Sequence, residues 1–190
     1  MTGLFFGSFN PVHTGHMILA NFMATQTELS EVWMVVSPHN PHKKRGSLAN
    51  DHDRAHLVDL AIGDTPRLRT SRVEFSLPKP SYTIDTLAVL REKYPDRRFA
   101  LIMGSDNLAS LHRWKNYEII LRDFAVHVYL RPGHPAGELA EHPNVTVYEA
   151  PLMQLSATYV RRCVREGNSI RYLVPEAVAR EIEASGLYRS

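Results

Sequence analysis

Thr2 to Gln26, TGLFFGSFNPVHTGHMILANFMATQ, decides the fold of this 190-residue chain. Its opening, an apolar run of Leu4, Phe5 and Phe6 closed by Gly7, predicts a buried strand. Met17, Ile18, Ala20, Phe22, Met23 and Ala24 are dense enough to predict a covered helix from His16 to Gln26. Between the two lies Gly7 to His16, GSFNPVHTGH. A glycine at a strand end lets the backbone approach a ligand, and the helix that follows offers unpaired N–H groups and the positive end of its dipole to an anion. His13 and His16 stand beside that position, where a hydrophobic core requires neither of them. The turn is neither a Walker A loop nor a G-x-G-x-x-G fingerprint.

The same alternation continues outward. Glu31 to Ser37 is a second apolar strand, broken by Pro38 and Pro41, after which Asn50 or Asp51 caps a helix to about Gly63. A strand is expected near Leu68 to Phe75, a helix from a Ser81 cap to about Tyr94, and a buried strand over Phe99 to Met103. Helical pieces run to Arg122, strands follow at Phe124 to Leu130 and Asn144 to Glu149, and Arg131 to Pro143 reads as a surface loop. Ser156 to Glu166 and Pro175 to Ala184 close the chain as helices, the second with proline in its first turn and a stop at Gly186. Apolar strands trading places with helices imply an α/β, Rossmann-like, doubly wound and mainly parallel sheet with a C-terminal helical tail. Ligands of such sheets gather at the carboxyl ends of the strands, where GSFNPVHTGH lies. The expectation is one domain over residues 1–190, with the helices of 156–190 packed on it.

Composition narrows the setting. With 44% hydrophobic and 22% charged residues and a formal net charge of +2, the chain reads as an ordinary globular protein with no electrostatic case for nucleic acid. Cys163 is the single cysteine, so no internal disulfide or multi-cysteine zinc site can form, and a reducing cytoplasm fits. No apolar run approaches the roughly 20 residues of a membrane span, and no basic segment precedes the first apolar stretch. Two histidines three apart supply only part of a tetrahedral zinc site and no HExxH accompanies them, so no protein metal site is expected.

A second constellation is Leu155-Ser156-Ala157-Thr158-Tyr159-Val160-Arg161, where Ser156 can cap a helix whose start can hold phosphate and whose second turn carries Arg161. Together the two segments resemble the nucleotidylyltransferase superfamily. Its ATP-binding signature G-x-F-x-P-x-H-x-G-H is matched by Gly7, Phe9, Pro11, His13, Gly15 and His16, and its I-S-S-T-x-x-R segment by Ser156, Thr158 and Arg161. Ala157 stands where that segment has its second serine. Further stretches resemble the bacterial nicotinate mononucleotide adenylyltransferases. These are Pro38 to Lys43 (PHNPHK), Pro80 to Leu87 (PSYTIDTL), Gly104-Ser105-Asp106-Asn107 with Trp114, and the ending RYLVP…GLY over Arg171 to Tyr188.

The resemblance implies transfer of AMP from ATP to nicotinate mononucleotide, giving nicotinic acid adenine dinucleotide and pyrophosphate by direct in-line attack. It puts His13, His16 and Arg161 in catalysis. ATP is expected on Gly7, Ser8, Phe9, His13, His16 and Lys43, together with Gly104, Asp106, Ser156, Thr158 and Arg161. Tyr82, Thr83 and Trp114 are expected on the nicotinate mononucleotide, with Mg²⁺ carried by ATP. The partners are then those two small molecules, with no nucleic acid or membrane and with a homo-oligomer left open. His112 and His127 are read as structural or surface residues. Rival readings are an adenylyltransferase for nicotinamide mononucleotide or phosphopantetheine, a nucleotide sensor without turnover, and a zinc hydrolase.

Overall fold

The computed structural model describes residues 1–38 and 48–189. Six strands, β1 (Thr2–Gly7), β2 (Glu31–Val36), β3 (Leu68–Ser71), β4 (Phe99–Gly104), β5 (Ala125–Tyr129) and β6 (Val145–Tyr148), form one sheet in the order 3-2-1-4-5-6. Every pairing is parallel, with Phe5 opposite both Met34 and Ile102. Successive residues of a strand point to opposite faces, so each strand feeds two cores. On one face Phe5, Met34, Val36 and Ile102 pack with apolar residues of α1 (Thr14–Gln26), α2 (Asp51–Ile62), α6 (Ala157–Arg165) and α7 (Glu176–Ser185). On the other, Leu4, Val35, Leu101 and Met103 pack with those of α3 (Thr83–Lys93), α4 (Ser105–Ala109) and α5 (Tyr117–Asp123). Both faces of the sheet are covered, which is why its strands read as continuous apolar runs.

Local chemistry sets the helix ends. Asn50 Oδ1 accepts from the His52 N–H at 2.9 Å, and Ser156 Oγ accepts from that of Tyr159 at 3.2 Å, each supplying an acceptor to an otherwise unpaired first turn. Gly186, at φ +72°, closes α7 in the left-handed conformation that a side chain disfavours. Several boundaries differ from expectation, among them the start of α1, which lies at Thr14 behind a His13 cap instead of at His16. β3 ends at Ser71 and continues as a 3₁₀ turn over Val73–Ser76. α3 begins after Tyr82, because the Ser81 hydroxyl bonds to Glu74 Oε2 at 3.0 Å instead of capping the helix. Pro175 is the cap residue of α7, one place before its first turn. The loop from Arg131 to Pro143 carries a 3₁₀ turn at Glu138–Glu141. No helix among the described residues is long and apolar enough to cross a membrane.

In this strand order the connection reverses direction between β1 and β4, whose last residues are Gly7 and Gly104. The crevice of an open parallel sheet is therefore expected at the carboxyl ends of these two strands.

Candidate active site at the carboxyl ends of the strands

The turn after β1 is built around its aromatic residue. A Cβ on Gly7 would lie 2.7 Å from the Phe9 ring, so only glycine lets Phe9 fold back over the strand end. Phe9 takes φ +43° and is 1% exposed, packed edge-on against Phe5 and against His16 at 5.1 Å between ring centroids. Its side chain is thus a floor beneath His16 and lies outside both clefts described below.

His13 caps α1 and His16 lies in the first turn, which stacks the two imidazoles with centroids 3.6 Å apart and planes 24° from parallel. The His13 N–H donates to His16 Nδ1 at 3.2 Å, so a neutral His16 carries its proton on Nε2 as a donor. His13 is 6% exposed, and burial pulls its pKa down from 6.5 to about 4. Gly15 leaves the space this ring needs, since a Cβ there would meet His13 Nδ1 and Cε1 at 3.2 Å. Near-parallel stacking also argues against one metal ion shared by the pair, because a ligated ion lies in the plane of each imidazole and these planes do not converge nearby. Among the described residues no three His, Cys, Asp or Glu side chains cluster as a metal site.

From the C-terminal side, α6 brings its first turn and Arg161 to the same cleft as the imidazoles. Arg161 Nη1 donates to the Asn10 carbonyl at 2.7 Å and Nη2 to Thr158 Oγ1 at 3.3 Å, while Nε is buried without a partner among the described residues. His13, His16, Ser156, Thr158 and Arg161 line this cleft together with Tyr129, Arg131, His134 and the segment Leu152 to Leu155. No acidic residue is among them, so the field inside favours an anion.

A second cleft opens on the opposite side of the strand ends. Tyr82 and Thr83 at the start of α3, Trp114, Arg113, Lys115 and Glu74 line it, over the side chains of Leu101 and Met103. Lys115 Nζ bonds both carboxylate oxygens of Asp85, at 3.0 and 2.9 Å, and lies 4.9 Å from the centre of the Tyr82 ring. The two clefts share Ser8 and Tyr129 in their walls, and Gly7 borders the second. Gly104 and Asp106 line neither. Asp106 Oδ2 pairs with Arg131 Nη1 at 2.8 Å, and a Cβ on Gly104 would collide with Asp106 Oδ1. Lys43, with His39, Asn40, Pro41 and His42 before it, lies outside the described residues.

Several residues at the site escape a reading by motif. Arg54 is fully buried and donates through all five of its N–H positions. It bonds the carbonyls of Ser8, of Ser37 at 2.9 Å, of Pro38 at 3.3 Å and of Ala49 at 3.0 Å, and the Asp51 carboxylate at 2.7 Å. It fastens the ends of β1 and β2 to α2, and its one sequence signal is a cation on the face of α2 that also carries Ala55, Leu57 and Val58. Tyr129 and Arg131 follow the rule that residues at the end of a parallel strand meet ligand, which the sequence offered once β5 was assigned. His127, read as structural, is 1% exposed and bonds through Nδ1 to the Tyr148 hydroxyl at 2.9 Å, away from both clefts.

Comparison with known proteins agrees with this geometry. A family model described as cytidylyltransferase-like matches residues 4–163. A probable nicotinate-nucleotide adenylyltransferase of Cytophaga hutchinsonii is 53% identical over 176 residues, covering 93% of this chain and 92% of that protein. One from Flavobacterium psychrophilum is 46% identical over 189 residues and 98% of both chains. Among solved structures, a nicotinic acid mononucleotide adenylyltransferase of Plasmodium falciparum complexed with NaAD superposes with a TM-score of 0.83. It covers 98% of this chain and 96% of its own, and at 19% identity it speaks to the fold alone. On the extent of the family match and the identity of relatives that span almost its whole length, the chain belongs to the cytidylyltransferase-like family and, within it, to the nicotinate-nucleotide adenylyltransferases.

Proposed function

We propose that the protein transfers the adenylyl group of ATP to nicotinate mononucleotide in NAD biosynthesis. A phosphate oxygen of the mononucleotide forms a bond to the α-phosphorus of ATP, the bond from that phosphorus to the bridging oxygen breaks, and pyrophosphate leaves with the electron pair. The attacking phosphate is already ionised at neutral pH, so no side-chain nucleophile or strong base is required, and the protein has to bring two anions into line and stabilise the charge that builds at phosphorus. The observation that carries this reading is the pair of clefts meeting at Ser8 and Tyr129, one lined by cations and imidazoles without an acid, the other by Tyr82, Thr83 and Trp114.

ATP is assigned to the first cleft. His16 donates from Nε2 to the α-phosphate, His13 contacts phosphate from the turn, and Arg161, with Ser156 and Thr158 at the start of α6, holds the phosphates that depart. The buried, neutral state of His13 makes it a hydrogen-bond donor before it is a cation. Gly7, Ser8 and Phe9 serve ATP through the course of their backbone, Lys43 is assigned to the triphosphate, and Gly104 and Asp106 to the nucleotide by way of Arg131. Mg²⁺ is carried by ATP on phosphate oxygens and water, a mode that needs few protein ligands and fits a cleft without carboxylates.

The mononucleotide is assigned to the second cleft, its pyridine ring on the Trp114 indole and its carboxylate at the N–H groups and hydroxyl of Thr83. Asp85, whose charge would oppose a carboxylate, is matched by Lys115. With Arg113 as a further cation on this wall against the carboxylate of Glu74, the balance supports nicotinate over nicotinamide. Incubation with ATP, Mg²⁺ and nicotinate mononucleotide should yield the dinucleotide and pyrophosphate in equal amounts, with nicotinamide mononucleotide and phosphopantetheine far slower. ATP binding without product from any of the three acceptors would instead mark a sensor.

A further inference from the structure

Glu74 is 2% exposed, borders the second cleft, and forms no ion pair among the described residues. A carboxylate so placed is costly to bury, and its charge opposes an anionic ligand next door. Its worth must therefore be geometric. Oε2 accepts from the Ser81 hydroxyl at 3.0 Å and Oε1 from the Thr86 hydroxyl at 2.8 Å, and Thr86 is itself fully buried. These two partners bracket Tyr82 and Thr83. The start of α3 has no side-chain cap of its own, since Ser81 is turned toward Glu74 and Tyr82 offers none. The segment before it, Leu77 to Pro80, holds two prolines and no helix or strand.

We propose that Glu74 is a positioning residue for the mononucleotide, a rigid fork that fixes where the Tyr82–Thr83 corner stands relative to Trp114. This rests on the assignment of the second cleft to nicotinate mononucleotide. A carboxylate suits the task because both its oxygens only accept, so both hydroxyls must point the same way, toward the 3₁₀ turn. Glutamine has the same shape but one accepting oxygen, and leaves one hydroxyl to be turned around. Thr86 then turns its hydroxyl to the Tyr82 carbonyl, already 3.3 Å away, and the tie between the corner and the 3₁₀ turn is lost.

The test is steady-state kinetics of the full chain with each substrate varied in turn, beside thermal melts. Glu74→Gln should raise KM for nicotinate mononucleotide by about 5-fold to 10-fold, as for loss of one hydrogen bond felt in binding, while kcat and KM for ATP stay within about twofold. Thr86→Val should move the same constant in the same direction, and Thr86→Ser, which keeps the hydroxyl, should restore it. A merely stabilising role would lower the melting temperature and leave the kinetic constants of the folded enzyme alone; that outcome, or an equal rise in both KM values, overturns the proposal. If Glu74→Gln does not fold, Thr86→Val and Ser81→Ala decide by the same criterion, an unmoved KM overturning it. Wild-type protein is assayed first: failure to form the dinucleotide removes the functional reading and this inference together, whereas an active wild type with unaltered variants removes this inference alone.

Discussion

At the scale of single residues, the histidine pair divides its labour by environment. His16 is oriented by a hydrogen bond to Nδ1 and lines the cleft, whereas His13 is buried and held neutral. Loss of a preorganised donor to developing charge typically costs about 10²-fold to 10³-fold in turnover. His16→Ala should pay that in pyrophosphate release while its melting temperature stays within a few degrees of wild type, and wild-type turnover would refute the role. His13 makes a prediction about stability. Its folded pKa, about 4, lies below the unfolded value of 6.5, so the unfolded chain binds more protons between those limits. The stabilisation is complete above pH 6.5 and is lost as pH falls toward 4, an effect of about 3 kcal/mol at most. Denaturant melts across that window should show a shallower acid limb in His13→Gln, though not a flat one, because burial also lowers the pKa of His127. His13, His16 and Arg161 were legible in the sequence because short spacing carries them onto two helix starts. Arg54 and Glu74 were not, because their partners are carbonyls and hydroxyls from segments that only the fold brings near.

At the scale of elements, the first turn of α1 and its glycine form one device. Helical Gly15 needs no unusual backbone angle, so Gly15→Ala gains up to about 1 kcal/mol of helix propensity, set against crowding of the buried His13 ring, and the net change in stability should be small. Its new methyl would press on the His13 ring at 3.2 Å, so the ring must give by a few tenths of an ångström beside the reacting centre, where misplacement lowers the rate. A variant that is about as stable as wild type and less active is the expected outcome, read from melts and turnover on one sample; full activity would show that the ring can move without penalty. The cap of α6 by Ser156 and the stop of α7 at Gly186 were readable from local residue preferences. The start of α3 was misread by one position for a physical reason. Ser81 has the chemistry of a cap, but a buried acceptor seven residues earlier competes for its hydroxyl, and propensity says nothing about that competitor.

At the scale of the whole molecule, strand order does what no single motif could. Alternating apolar strands and helices announced a parallel sheet, yet the order 3-2-1-4-5-6 and the two clefts at its reversal appear only when the strands are assembled. That reversal sets the β1 turn beside the ends of β4 and β5, so that α6, from the far end of the chain, and α3, from its middle, close on Ser8 and Tyr129 from opposite sides. Arg54 ties the β1 and β2 ends together beneath them. The central claim is that these clefts hold two phosphates in line for a direct displacement. The measurement that tests it most directly is a crystal structure with a non-hydrolysable ATP analogue and nicotinate mononucleotide bound together. The account predicts an α-phosphate oxygen within hydrogen-bond reach of His16 Nε2 and a phosphate oxygen of the mononucleotide about 3 to 3.5 Å from the α-phosphorus beside Ser8, opposite the departing oxygen. A triphosphate bound away from the imidazole pair and Arg161, or a mononucleotide bound outside the cleft of Tyr82, Thr83 and Trp114, would contradict it.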